Sequence, residues 1–438
     1  MISLIIFFGF LLRIISINQS LWLDEATTFS TVSISISDFF NKFIVGDFHP
    51  PLYYLLFRLI PGRGLSILFG LGTIFLIYKI GEKIVNKKIG LFASLLIATS
   101  GLHIYYSQEA RMYSMVTFLV CFLIYSYLCK KWLLFSLCLL LVAMTDYLAT
   151  LIFPIFIVDS YLDRNNIKRI MYSFLPTLLF FVFWSNVFFI QLFSGFSSIS
   201  NSPAWSKLLG ELSFKEIFLL PVKFILGRVS FDNKIIYGFV SLIVTLLFFY
   251  LIYKSFYLFK KIKVVFLWLF FPFLIAILIS FKIPVLNYFR FLFLLPAFYL
   301  LVSIGVFNFS KKINMLIVFV LLSINITTSS VYLFNHNFQR EDWRGLVSFV
   351  ELNSENKDSI VVFPSNSQME AYKFYAKKDN YYSGNINFEM KTNKIFLLRY
   401  VQEVSDPSDS TRLKIESVGY RKTGDINFNG ILVWRYEK

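Results

Sequence analysis

Two adjacent carboxylates, Asp24 and Glu25, lie in the run Ser20-Leu-Trp-Leu-Asp-Glu-Ala26, just after an apolar opening segment. Acids at the exit of a membrane-length segment, braced by Trp22, are costly to place and read as functional. The plain alternative is an interfacial Trp anchor followed by solvated acids. A carboxylate within reach of a hydroxyl can take its proton in a transition state. His49 before two prolines, Glu109 and Arg111 in a short turn, and Arg290 beside Tyr288 add a base, an acid and two guanidinium groups. Guanidinium groups grip phosphate bidentately and stabilise charge as it departs. These parts suit transfer from a phosphate-linked donor to a hydroxyl or amine.

The elements that must position them are membrane helices. The chain has 438 residues, 57% hydrophobic and 20% aromatic, more apolar than a soluble domain. Its formal charge of +16 would suggest nucleic acid only if it were clustered on a soluble surface. Residues 1–339 hold 27 Lys/Arg against 12 Asp/Glu, and residues 340–438 hold 15 against 14. The excess therefore belongs to membrane loops, where basic residues set orientation, and no nucleic-acid partner is expected. Cys121, Cys129 and Cys138 sit in apolar segments without metal or disulfide spacing. Residues 1–17 lack the basic start and small-residue site of a cleaved signal peptide.

Apolar length gives eleven expected spans: 2–17, 64–80, 89–106, 112–129, 132–147, 148–162, 171–193, 236–253, 264–281, 289–308 and 313–334. Alternate connections are basic: Lys79/Lys83/Lys87/Lys88, Lys130-Lys131, Arg164/Lys168/Arg169, Lys254/Lys260/Lys261/Lys263 and Lys311-Lys312. The positive-inside rule places all five in the cytoplasm. The amino terminus is then inside, and the polar carboxy-terminal segment outside. The chemistry-bearing residues collect on the outer face, in the 18–63 loop, the 103–113 turn, the 194–235 segment and the 287–290 turn.

His49-Pro50-Pro51 begins an apolar stretch of about a dozen residues, too short to span. It fits an interfacial or re-entrant helix started by proline. Residues 194–235 read as an outer loop with one surface helix (Phe214 to Arg228), a candidate lid. From Arg340 the composition becomes that of a soluble domain. Arg340 to Val350 suggests an amphipathic helix, Asp358 to Pro364 a buried strand, and Gln368 to Lys377 a second helix. Lys394 to Val401 suggests another strand, and Tyr420 to Tyr436 a hairpin around Asn427-Phe-Asn-Gly430. The expected fold is thus an α-helical polytopic membrane protein, with a helical domain over 1–334 and a small extracytoplasmic α/β domain over 335–438. In that domain Asp342 and Arg344 are as suited to capping and decorating a helix as to touching a ligand.

Compartment restricts the donor. No nucleotide pool exists outside a cytoplasmic membrane, and the chain has neither a P-loop nor a G-x-G-x-x-G signature. An activated sugar must arrive there on a lipid phosphate, and a polyprenyl tail needs an apolar groove.

Leu21-Trp-Leu-Asp24-Glu25-Ala, His49-Pro50-Pro51-Leu-Tyr-Tyr and Tyr106-Ser-Gln108-Glu109-Ala-Arg111-Met-Tyr113 form an ordered set. Together they resemble bacterial membrane glycosyltransferases of the GT-C superfamily, similar to dolichyl-phosphate-mannose protein mannosyltransferases and lipid A aminoarabinose transferases. Asn287-Tyr-Phe-Arg290-Phe and Glu341-Asp342-Trp343-Arg344-Gly resemble a later turn and the start of a periplasmic domain in that family. The resemblance implies a polyprenyl-phosphate sugar as donor, inversion at the anomeric carbon, and an envelope acceptor that is lipid, protein or glycan. It implies Asp24 as general base, Glu25 as its neighbour and Glu109 as a second acid, with Arg111 and Arg290 on the donor phosphate. His49, Tyr53, Tyr106, Gln108, Tyr113 and Tyr288 would line the substrate cavity. No cofactor is implied, although two acids with one histidine leave a divalent ion open. Two departures stand out. Pro61-Gly-Arg-Gly64 replaces a connection often longer in relatives, and Arg290 follows Phe289 rather than preceding the usual Tyr.

Plainer readings accompany several of these residues. Glu109 and Arg111 could be a rim ion pair worth little. Arg13 is expected to snorkel outward, and His103 to be interfacial. Tyr53, Tyr54, Tyr105, Tyr106 and Tyr113 also fit an aromatic belt. The rival function is a transporter or flippase of lipid-linked glycans, a class marked by repeated halves and mid-membrane charges. This chain shows neither. A scaffold would leave Asp24-Glu25 without a role.

Overall fold

The structure, a computed structural model, describes residues 1–163, 166–201, 203–354, 359–383 and 392–438. Arg164 of one basic loop and Asp358 at the start of an expected strand lie outside them. The chain divides into two units: residues 1–17, 35–201 and 206–334 form one, and residues 18–34, 202–205 and 335–438 the other.

The first unit is helical. Among the described residues five stretches are long and apolar enough to cross a membrane: Gly64–Ile84, Ile167–Ser200, Lys234–Ile279, Tyr288–Val306 and Lys311–Phe334. The bent pair Lys87–Thr99 and Gly101–Ser107 makes a sixth. Each of the eleven expected segments coincides with a helix, but four of them are short apolar helices, Ile2–Ile14, Tyr113–Leu128, Trp132–Ala143 and Leu148–Leu162. Two more, 236–253 and 264–281, fall in the halves of Lys234–Ile279, whose join is a 3₁₀ turn at Phe256–Leu258. By length and composition, five or six of these stretches qualify as crossings among the described residues.

The helix pair bends by 64° at Ser100, which ends one helix and caps the next by accepting from the His103 amide at 3.4 Å. Arg13 exploits the break. It does not snorkel: it is fully buried, and donates to the carbonyls of Gly9 at 2.8 Å and Ala98 at 3.1 Å. It also lies 2.7 Å from His103 Nδ1. His103 is therefore a core partner of Arg13, not an interfacial residue. Gly70 makes room for Ser107 and Arg13, since a methyl there would strike the Ser107 side chain and meet Arg13 Nε at 3.2 Å.

The expected outer loop 194–235 is more ordered than its Ser/Asn content suggests. Helix Leu175–Asn201 runs through its first part, and the surface helix follows as Phe214–Leu226. Ser213 caps that helix through the Glu216 amide, and Leu220, Phe224, Ile225 and Leu226 are buried at its far end.

The second unit is a five-stranded mixed sheet. Its strands are β1 (Ser359–Phe363), β2 (Tyr381–Ser383), β3 (Lys394–Arg399), β4 (Arg421–Phe428) and β5 (Ile431–Glu437). They lie in the order β2-β1-β3-β5-β4, with β1 parallel to both neighbours and β5 antiparallel to both of its own. The hairpin turn is Asn429-Gly430, both with positive φ (50° and 102°), the pairing that matches strand twist. One face packs Trp343, Leu346, Val350 and Tyr372 under the sheet; the other packs Ile415, Tyr420 and Tyr436. Asp342 caps helix Trp343–Asn353 by accepting from the Gly345 amide at 2.9 Å. Residues 18–34 join this unit. Helix Leu23–Ser30 places Ala26 in the Trp343 cluster, the Leu21 amide donates to Tyr375 Oη at 2.8 Å, and Phe29 meets Phe374 at 5.4 Å.

Candidate functional site

In the helical unit the polar residues converge on an acid that does not stand out in the sequence. Asp47 ends the helical turn that includes Phe39–Ile44. One of its oxygens accepts from the amides of Phe48 (2.6 Å) and His49 (2.9 Å) and lies 2.8 Å from His49 Nδ1. The other accepts from Tyr54 Oη at 2.9 Å. Tyr54 Oη in turn accepts from Arg111 at 3.0 Å. Burial opposes the charge on Asp47, but the His49 contact, the Arg111 charge and the Tyr54 hydroxyl outweigh it and hold the carboxyl well below its usual range.

The prolines after His49 start helix Leu52–Leu59, as expected. Its first amide bonds the Met144 carbonyl at 3.0 Å, which ties the loop to the turn carrying Asp146. Asp146 caps that turn through the Ala149 amide at 2.9 Å, and feels the charges of His49 and Arg290. Gln191, on the long helix Leu175–Asn201, closes the loop from another side. It donates to the Ile44 carbonyl at 2.6 Å and accepts from Tyr147 Oη at 2.7 Å. Four separate chain segments thus fix one imidazole and two carboxylates.

Glu109 and Arg111 are both buried, at 1% and 4% exposure, so they are not a solvated rim pair. Gln108 is a positioning residue. It donates to the Arg13 and Ile15 carbonyls (3.0 and 2.6 Å) and accepts from Tyr332 Oη at 2.7 Å. That clamp joins the end of the first helix, the 103–113 turn and the last helix. Tyr53, Tyr54, Tyr105 and Tyr106 are buried within the unit rather than forming a belt. Tyr106, Tyr113 and Phe289 make edge-on or tilted contacts at 5.2 to 6.3 Å. Tyr288 meets Phe289 at 5.9 Å. Arg290 is half-buried, donates to the Pro284 carbonyl at 3.3 Å and interacts electrostatically with Tyr113 and Asp146.

Two cations that the sequence does not single out stand near these aromatics. Arg228 donates to Tyr105 Oη at 2.8 Å and stacks over its ring at 4.5 Å. Lys223 lies 5.8 Å from the Tyr288 ring. Burial first, then the like charges of Arg228 and Lys234, push the Lys223 amine down to about 8. Their mark in the sequence is the mixed apolar and basic stretch Phe214 to Arg228, which includes Lys223 and ends on Arg228.

In the second unit, Asp24 and Glu25 occupy the first turn of helix Leu23–Ser30, where the helix dipole favours carboxylates. The two point differently. Glu25 is fully buried and pairs with Arg340 Nε at 3.4 Å; Asp24 is half-buried, and its carbonyl accepts from Thr28 Oγ1. Arg340 also reaches Gln19 Oε1 through its amide at 3.2 Å. Among the described residues no group of three or more His, Cys, Asp or Glu is arranged to hold a metal ion.

Among solved structures the chain is similar to ArnT from Cupriavidus metallidurans in the apo state. The match covers 99% of this chain and 96% of that one, with a TM-score of 0.59 and 10% sequence identity. The likeness shows that the chain shares the fold of that protein along nearly its whole length. No protein-family model matches the chain, and no curated protein matches it in sequence.

Proposed function

We propose that the protein is a membrane glycosyltransferase that moves a sugar from a polyprenyl-phosphate donor to an envelope acceptor. The acceptor is a lipid, protein or glycan at the outer face of the cytoplasmic membrane. The observation that carries this reading is the ArnT-like fold over 99% of the chain. The motif resemblance supports it, as do the buried cations and acids of the helical unit. In this reading Asp24 accepts the proton of the incoming hydroxyl, Glu109 is a second acid, and Arg111 and Arg290 hold the donor phosphate. Lys223 and Arg228 add positive charge beside the aromatic residues Tyr105 and Tyr288. The amino terminus is cytoplasmic and the sheet domain extracytoplasmic, and no cofactor takes part.

The oxygen of the acceptor attacks the anomeric carbon from the side opposite the phosphate, so configuration inverts. The bond to the phosphate oxygen breaks, and its electron pair stays on the polyprenyl phosphate. Deleting the gene should remove one sugar modification from the envelope glycolipids or glycoproteins, read by mass analysis, and the wild-type gene should restore it. Asp24→Asn should fail to restore it, with transfer reduced at least about 100-fold, while reaching the membrane in normal amount. Full restoration by that variant would remove Asp24 from the mechanism.

A further inference from the structure

The Asp47–His49 pair has a geometry that a merely structural loop contact does not require. Asp47 is already anchored by two backbone amides and Tyr54, so the imidazole is not needed to satisfy it. The contact fixes instead which nitrogen does what. With Nδ1 against the carboxylate at 2.8 Å, the carboxylate favours the tautomer with its proton on Nδ1 and leaves Nε2 to a further partner, on a side chain that is partly exposed. Charged and titratable groups surround this imidazole from every packed segment. Asp47 belongs to its own loop, and Asp146 to the turn after helix Trp132–Ala143. Arg111 acts on Asp47, Arg290 acts on Asp146, and the phenols of Tyr54 and Tyr147 adjoin the two acids. Two carboxylates, Asp47 and Asp146, and both arginines assigned to the donor phosphate thus belong to one electrostatic cluster with this imidazole.

We infer that His49 is the proton donor to the departing phosphate, with Asp47 as its positioning residue. The inference rests on the transferase reading above. As the bond from the anomeric carbon to the phosphate oxygen breaks, its electron pair moves to that oxygen. The imidazolium Nε2–H then gives its proton there, leaving a singly protonated polyprenyl phosphate and a neutral imidazole. The acceptor's proton leaves on Asp24, and solvent recharges His49. No other reactant is needed. Asp47 does not touch the substrate: it holds the ring and stabilises its positive charge, and through Tyr54 it braces Arg111.

The test is binding of undecaprenyl phosphate, the product-side probe, to the detergent-purified full chain between pH 5 and 9. Wild type is compared with His49→Gln and Asp47→Asn. At pH 6 the wild type should bind about tenfold more tightly than His49→Gln, as expected for losing one charge-assisted hydrogen bond. At pH 9 the two should bind equally. The titrations of the phosphate and of Lys223 are common to both proteins and cancel in the ratio. In Asp47→Asn the pH at which the histidine's advantage disappears should move lower, because the imidazolium has lost its counter-charge. A purely structural Asp47 would weaken binding uniformly and leave that midpoint in place. Equal binding of wild type and His49→Gln at pH 6 overturns the inference, and so does an unmoved midpoint in a folded Asp47→Asn. If Asp47→Asn does not fold, the His49→Gln ratio decides alone. Failure of the wild type to bind undecaprenyl phosphate at any pH would instead sink the transferase reading, and this inference with it.

Discussion

Two buried charge clusters, one in each unit, differ in kind. In the sheet unit Glu25 and Arg340 are both fully buried and face one another. In the helical unit Asp47 shares its two oxygens among four donors, and the histidine it holds stays partly exposed. A fully buried ion pair fixes a local fold, because losing either partner strands a desolvated charge. An open, multiply braced cluster keeps a charged group oriented toward something not yet bound. Burial alone does not separate structural from chemical charges; here the difference is that the helical cluster holds a partly exposed group, His49.

The sharpest way to break this contrast is to remove one half of the buried pair. Glu25→Ala should destabilise the sheet unit by roughly 3–5 kcal/mol, since it strands a buried guanidinium, whereas Glu25→Leu with Arg340→Met should recover at least half of that. Thermal unfolding of the full chain in detergent reads both. If the single variant costs nothing, the pair does not hold the local fold. Next in size, Arg111→Ala should weaken undecaprenyl phosphate binding by about 2 kcal/mol, the range for hydrogen bonds to charged groups. It should shift melting less than Glu25→Ala does, and Arg111→Lys should not restore binding because the fork geometry is lost. A large melting shift with intact binding would move Arg111 to the structural side.

The smallest effect concerns a third acid. Asp406 in the sheet unit accepts from the Ser410 and Thr411 amides at 2.8 Å. Burial opposes its ionised form, but these bonds prevail and draw the carboxyl down to about 2. Its contribution is therefore complete above the ordinary carboxylate value of about 4 and fades as pH falls toward 2. Asp406→Asn should cost about 1 kcal/mol at pH 7, as a lost cap does, and nothing near pH 2. Thermal unfolding at the two pH values reads the difference.

Local signals in the chain are readable, and long-range ones are not. The Pro50-Pro51 helix start, the Asn429-Gly430 turn and the Asp342 cap follow from backbone chemistry within a few residues, and the structure contains each. Asp47 escapes notice because Gly46-Asp47-Phe48 looks like any loop acid; its spacing of two from His49 is the one available hint. Arg13 invites the snorkelling reading because the carbonyls that hold it include one some 85 positions away. The start of the 194–235 segment looks like a loop, yet its serines bond back to their own helix carbonyls, as Ser198 and Ser200 do, and so remain compatible with a helix. That residues 18–34 pack with the sheet unit depends on Ala26 and Leu21 meeting partners more than 300 positions later. No periodicity within the loop records such a meeting.

The Arg13 arrangement bears on how the chain is made. A guanidinium in the first apolar helix is costly in hydrocarbon, and only the Gly9 carbonyl is at hand when that helix emerges. The Ala98 carbonyl and the His103 ring arrive with a helix pair synthesised much later. A chain truncated before Ala98 therefore lacks both the carbonyl and the imidazole that hold Arg13 beyond its own helix.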